Sequence, residues 1–250
     1  MFSLVAAAAR AARNSVFPPE VFKYTDALTE FPVERLTSPG HSAWLPDSHC
    51  RAAARRPAFL VYASDRAGAP QLFRLDHSTG ASRQLTEAAA LDRRFFTLAA
   101  GDRSLVYLDG PSLRVLAINS LKEREIYRVR EGWRIVAGLA APPAKAPVLI
   151  VEERDGVCEL RAVSLERRKA ETVLHCAGMV DQAILAPGGK ELCYVRDGSL
   201  RLASADGRWD RAAATAEGRI WQVFWRPDGE AVLYLLTRED GRREIRETGA

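Results

Sequence analysis

Apolar and polar positions along this chain repeat in one short grammar. Five times an apolar phrase returns: Phe59-Leu60-Val61-Tyr62, Ser104-Leu105-Val106-Tyr107, Val148-Leu149-Ile150-Val151, Glu191-Leu192-Cys193-Tyr194 and Ala231-Val232-Leu233-Tyr234. Their last positions, 62, 107, 151, 194 and 234, are spaced by 45, 44, 43 and 40 residues. A turn follows each phrase: Ser64-Asp65-Arg66-Ala67-Gly68, Asp109-Gly110-Pro111, Arg154-Asp155-Gly156, Arg196-Asp197-Gly198 and Arg238-Glu239-Asp240-Gly241. Asp-Gly between apolar runs favours a tight hairpin, because both residues tolerate positive φ. A second, alternating strand comes next, as in Gln71-Leu72-Phe73-Arg74-Leu75 and Leu113-Arg114-Val115-Leu116. Alternation of this kind marks a half-buried strand. A third strand closes the unit, as in Ser82-Arg83-Gln84-Leu85-Thr86. An inner strand precedes the phrase, clearest in Val223-Phe224-Trp225 before Arg226-Pro227-Asp228-Gly229.

Short strands recurring at this period are the mark of a propeller blade. The expected fold is therefore all-β, a β-propeller of about five four-stranded blades. An open sandwich would have to produce four near-equal gaps by chance. The propeller is expected over residues 31–250. Residues 1–30 read as a short N-terminal helix, near 3–13, and a lead-in, with Pro18-Pro19 as a helix stop. Blade five shows an inner strand, the Ala231 to Tyr234 strand and a final strand near Glu244-Ile245-Arg246, but no fourth. Residues 31–37 are expected either to supply that outer strand or to mark a ring left open. An open ring would expose an edge able to self-associate.

Composition narrows the function classes. The chain has 250 residues, 47% of them hydrophobic, enough for a sizeable core. No apolar run approaches the length of a membrane helix, so no membrane partner is expected. The net charge is +4, from 36 basic and 32 acidic residues. The basic residues are scattered and form no stripe with stacking aromatics, which argues against nucleic acid. Cys50, Cys158, Cys176 and Cys193 have neither CxxC nor Cys/His zinc spacing and read as isolated thiols. At the N-terminus the basic residues Arg10 and Arg13 follow the apolar stretch, the reverse of a secretory signal. That order favours the cytoplasm and argues against a periplasmic scaffold.

Between Val33 and Trp133 the chain resembles the oligogalacturonate lyases. The phrases are Val33-Glu34-Arg35-Leu36-Thr37-Ser38-Pro39-Gly40-His41, Ser64-Asp65-Arg66-Ala67-Gly68, Leu72-Phe73-Arg74-Leu75-Asp76, Thr79-Gly80 and Gln84-Leu85-Thr86-Glu87. TolB-like and WD40-like propellers share most of them. Ile126-Tyr127 with Glu131-Gly132-Trp133 is closer to the lyases themselves. The resemblance implies a ring of seven blades, of which this chain carries five, and a role in pectin degradation. Those enzymes eliminate across the C4–C5 bond of oligogalacturonides. The reaction needs a base for the C5 proton and a cation for the developing enolate-like charge. The family is understood to use a central histidine and a manganese ion held by histidines and a glutamine. Here the central histidine falls at Gln222, and the Cys-His-Glu-Gly phrase falls near Tyr194-Val195-Arg196-Asp197-Gly198, which has no histidine.

Only His41, His49, His77 and His175 are present. His41 stands where the family keeps a histidine, and otherwise reads as a turn residue after Pro39-Gly40. His41, Asp47 and His49 make a weak metal constellation. Arg66 could clamp a carboxylate bidentately or brace its own hairpin. Trp133 and Trp221 open inner strands and are candidates for a sugar platform at the channel mouth, while Trp225 suits packing between blades. The expected substrate-binding set is His41, Arg66, Trp133, Trp221 and Gln222, with no catalytic residue assigned and no metal ligand. No cofactor is expected, with manganese entering only if the chain is an active lyase. The sequence thus favours a non-catalytic propeller binding an acidic oligosaccharide or a protein in its central channel. The alternative is an active, metal-assisted oligogalacturonate lyase.

Overall fold

Each of the five phrases forms the second strand of a separate antiparallel sheet. The computed structural model describes residues 12–54, 58–140, 146–215 and 218–250. Blade one contains Ala43–Trp44, Phe59–Ser64, Gln71–Asp76 and Ser82–Gln84. Blade two contains Leu91–Ala99, Ser104–Asp109, Ser112–Ala117 and Glu123–Arg128. Blade three contains Arg134–Gly138, Val148–Arg154, Val157–Val163 and Ala170–Ala177. Blade four contains Val180–Leu185, Glu191–Arg196, Ser199–Ser204 and Asp210–Thr215. Blade five has three strands, Arg219–Trp225, Ala231–Thr237 and Arg243–Gly249. In the Asp-Gly turns, Asp155 and Asp197 take φ of 52° and 48°, and the glycines after them 79° and 75°. Positive φ at both central positions is the hairpin geometry the dipeptide favours. No helix among the described residues is long and apolar enough to cross a membrane.

The alternation fixes which side chains meet between blades. Phe59, Val61 and Leu72 of blade one pack with Phe96, Leu98 and Leu105 of blade two. Blades two and three share Phe95, Val106, Leu113, Val148 and Ile150. Blades three and four share Leu149, Val151, Leu160, Leu192 and Tyr194. Blades four and five share Val195, Leu200, Val223, Val232 and Leu236. Among the described residues no core cluster joins blade five to blade one. Tyrosines add polar stitches within blades: Tyr107 donates to Glu123 (2.8 Å) and Tyr194 to Asp210 (2.7 Å). The same acids accept from Arg114 and Arg201 on the strand between.

The N-terminal region differs from the sequence reading. Most of the expected helix lies outside the described residues. Where description begins, Ser15 N–H donates to Ala12 C=O in a turn, and Val16–Phe17 pairs with Ser82–Gln84 as a fifth strand on blade one. Pro32–Arg35 does not reach blade five. It pairs with Phe22–Thr25 in a hairpin, because Asp26 closes the turn by accepting from Leu28 and Thr29 N–H. No described residue adds a fourth strand to blade five.

Candidate functional site

The inner strand of blade one is interrupted, and the interruption reaches across to the inner strands of other blades. Trp44 faces Ala63 and Ala53 bridges to Leu60, so residues 45–52 leave the sheet between them. This loop is tied to the inner strands of three other blades. In blade two, Asp47 N–H donates to Arg94 C=O (3.2 Å), Arg51 N–H to Thr97 Oγ1 (2.9 Å) and Leu98 N–H to Arg51 C=O (2.7 Å). On the blade three side, His49 Nε2 lies 2.8 Å from Gly138 C=O and Cys50 Sγ donates to Leu139 C=O. In blade five, Gln222 Nε2 donates to Ser48 Oγ (3.0 Å). Inner strands surround the propeller axis, so a loop held by four blades at once lies across the channel.

Gly138 makes the blade three contact possible. Its φ is +113°, and a Cβ there would lie 2.5 Å from Leu149 O and 2.7 Å from Ile150 Cα. The chain turns its carbonyl toward His49 only because no side chain is present. Gln182 of blade four plays a matching part toward blade five. Its Oε1 accepts from Val223 N–H (3.0 Å), and its amide donates to Trp221 C=O, at a β-bulge around Trp221.

The expected site residues are scattered. His41 is exposed in a shallow depression of about 550 Å³ beside Asp65 and Gly68. Arg66 is turned away from the channel, its side chain 6% exposed. It donates to Glu20 (2.6 Å) and Tyr62 (3.3 Å) and lies 4.2 Å from the Phe17 ring. Two guanidiniums lie against the Trp133 ring, Arg130 at 3.8 Å and Arg154 at 5.0 Å. Arg130 also bonds buried Glu152 (2.8 Å) and Glu159 (2.7 Å). Burial of Glu159 opposes its charge, but Arg130, His175 and Arg161 outweigh it and hold the carboxyl below its ordinary range. Burial, then the hydrogen bond to Glu152, pushes the Tyr127 phenol up to about 12. Trp221 is half-buried with Arg243 at its ring, Gln222 holds the loop, and Trp225 donates to Ile184 C=O (3.0 Å) between blades.

These residues do not fit the manganese centre that the resemblance implies. Among the described residues no three His, Cys, Asp or Glu side chains gather as a metal site. His49 bonds Gly138 on the axis, whereas His41 sits in its own surface depression, so the His41, Asp47, His49 constellation is not assembled.

The structure brings together a different group, absent from the sequence set. At the start of the blade two inner strand the register slips. Leu91 faces Asp109 and Phe96 faces Tyr107, so residues 92–95 bulge opposite a single residue. Bulges re-aim side chains. This one opens a shallow cleft of about 640 Å³ bounded by Pro70, Leu91, Asp92, Arg93, Arg94 and Gly110. Arg93 stacks at 4.6 Å over Trp44, and Arg94, 61% exposed, lies 3.5 Å from Asp92. Its backbone carbonyl also anchors the central loop. The signal in the sequence is Asp92-Arg93-Arg94 placed directly before the apolar inner strand Phe95-Phe96.

Solved structures with this architecture bear on the fold. An oligogalacturonate lyase in complex with manganese superposes with a TM-score of 0.83 at 23% identity, covering 95% of this chain and 71% of that one. The oligogalacturonate lyase of Vibrio parahaemolyticus gives 0.84 at 20% identity, covering 95% and 72%. A putative TolB from Agrobacterium tumefaciens gives 0.63 at 11% identity, covering 87% and 86%. No protein-family model matches the chain, and no curated protein matches its sequence. At these identities the likeness is one of fold: the chain is a β-propeller whose architecture is shared with the solved oligogalacturonate lyases and TolB proteins.

Proposed function

We propose that this chain is a non-catalytic binding propeller that takes a carboxylate-bearing oligosaccharide at the cleft between blades one and two. Arg93 and Arg94 meet carboxylates there, since guanidinium and carboxylate form charge-assisted, bidentate pairs. Trp44, already stacked by Arg93, offers an aromatic face beside them. The observation that carries this reading is the loop 45–52. It occupies the axis where the resemblance would put base and cation, so a ligand is met at the rim. Gln222 supports the non-catalytic half. An amide takes no proton at neutral pH, and this one is bonded to Ser48.

Calorimetric titration with trigalacturonate tests the proposal. Binding is expected, with none to a neutral oligosaccharide of equal length. Replacing both arginines by alanine should weaken it by about tenfold or more, the order expected when charge-assisted pairs are lost. Incubation with digalacturonate and manganese should give no absorbance from unsaturated product. Growth of that absorbance, or equal binding of the neutral sugar, contradicts the reading.

A further inference from the structure

The sequence reads the four cysteines as isolated, but the register of blade three sets two of them against each other. Cys158, on the strand Val157–Val163, faces Cys176, on the strand Ala170–Ala177. Residues directly opposed in an antiparallel pair share one face of the sheet. Here that face packs against blade four, and the two thiols are 0% and 2% exposed. Beside them, Gly178 N–H donates to Gly156 C=O at 3.1 Å. Bonded and non-bonded pairs alternate, so Cys158 and Cys176, two positions along, form a bonded pair. The Cα atoms of such a pair lie about 5.5 Å apart, within the span of about 4.4–6.8 Å that a disulfide needs. The paired Cβ atoms, about 4.5–5.5 Å apart, have to close to about 4 Å. A bond made under that tension is open to reduction by thiols. Neither other cysteine has this arrangement. Cys193 faces Ile184 and Leu202, and Cys50 donates to Leu139 C=O.

The two thiols differ in access. Val157–Val163 is the third strand of its blade and Ala170–Ala177 the fourth and outermost. Cys176 sits one residue from the end of that strand, between exposed His175 and Ala177. Strand ends open locally at low cost. Burial raises both thiols above their ordinary range, so they are unreactive while the strand is closed. Tyr194 and Arg196 of blade four lie beside Cys176, and a neighbouring guanidinium favours the thiolate once the strand end opens.

We propose that Cys158 and Cys176 form a reversible thiol–disulfide switch that fastens the outermost strand of blade three, with hydrogen peroxide as oxidant and a low-molecular-weight thiol as reductant. The Cys176 thiolate attacks one peroxide oxygen, the O–O bond breaks and the other oxygen leaves as water. The sulfenic acid so formed is attacked by the Cys158 sulfur. Its S–O bond breaks, a second water leaves and the S–S bond forms. The two thiols lose two electrons and two protons, and the peroxide is reduced to two waters. Exchange with two reductant thiols, through a mixed disulfide, restores the pair. The proposal stands independently of the saccharide reading.

The test adds hydrogen peroxide to the native chain, quenches it, and maps peptides by mass after alkylation in denaturant. A single link between Cys158 and Cys176 is expected, with the loss of two hydrogen masses, and dithiothreitol should reverse it. Amide exchange along Ala170–Ala177 should slow by about tenfold or more when the link forms, because it closes a short loop against opening. Cys158→Ala should abolish the link and let Cys176 run on to sulfinic acid, while Cys193→Ala should form the link as the native chain does. Separate alkylation of Cys158 and Cys176 after peroxide overturns the proposal. So does a link through Cys50 or Cys193 instead, or a link that leaves exchange along Ala170–Ala177 unchanged.

Discussion

The two ends of the blade series carry the same alternation and meet different fates. On the outer face of blade one, Tyr62, Phe73 and Leu75 are 2%, 0% and 0% exposed. The chain covers them itself. Phe17 packs edge-on against Phe73 at 5.6 Å, Leu36 joins the cluster, and Arg66 binds Glu20 across the seam. On the outer face of blade five, Phe224, Leu233 and Leu235 stay half-exposed and Ile245 is bare. Alternation decides which residues could enter a core. A neighbouring segment decides whether they do.

The largest expected effect breaks this comparison directly. Phe73→Ala should cost about 3–5 kcal/mol, as for a buried aromatic that leaves a cavity, and Leu233→Ala less than about 1 kcal/mol. Chemical denaturation of the two variants measures the difference, and equal costs would mean that both faces are core. Next is Arg66→Ala. It removes the pair with Glu20 and the stacking on Phe17, and should cost about 3 kcal/mol, as when a largely buried pair loses one partner. Proteolysis should then cut within residues 13–38 before it cuts the blades.

A third expectation concerns alkali. Tyr127, at the closed interface of blades two and three, has its phenol pushed up to about 12 by burial and by Glu152. A raised phenol binds its proton more tightly in the fold. The stability it gives is full below about pH 10, where the free phenol titrates, and is lost as pH rises through about 12. Burial raises Tyr107 and Tyr194 in the same direction. Thermal melts between pH 9 and 12 should therefore fall more steeply for the native chain than for Tyr127→Phe, and identical slopes would contradict the assignment. The smallest effect is Ile245→Thr, expected within about 0.5 kcal/mol, as for a surface change.

How much of this was legible in the sequence follows from the range of each contact. The blades were legible because alternation and Asp-Gly turns act over a few residues. Asp197 and Gly198 in left-handed φ are what the dipeptide implies. The central loop was not legible, since Ser48 meets Gln222 across 174 positions. Local pattern carries no record of that contact. Arg66 was open to either a ligand role or a bracing one. What placed it was Glu20, which lies in a lead-in with no blade grammar. Trp133 read as a sugar-platform candidate, and what the pattern did not show is that Arg130 and Arg154 lie against its ring, at 3.8 and 5.0 Å. That the stretch from Arg219 to Gly249 holds three strands of blade five was legible, because that too is a local count. The destination of residues 32–35 was not, because a hairpin partner at 22–25 competes with any distant edge.

The account's central claim is that, among the described residues, the outer face of blade one is covered by the chain's own N-terminal segment and the outer face of blade five is not. Amide hydrogen exchange tests it most directly. The account predicts strong protection at Gln84, which donates to Ser15 C=O at 2.9 Å, and faster exchange along Arg243–Gly249, where exposed Ile245 adds no buried contact. Equal protection in the two places would contradict it.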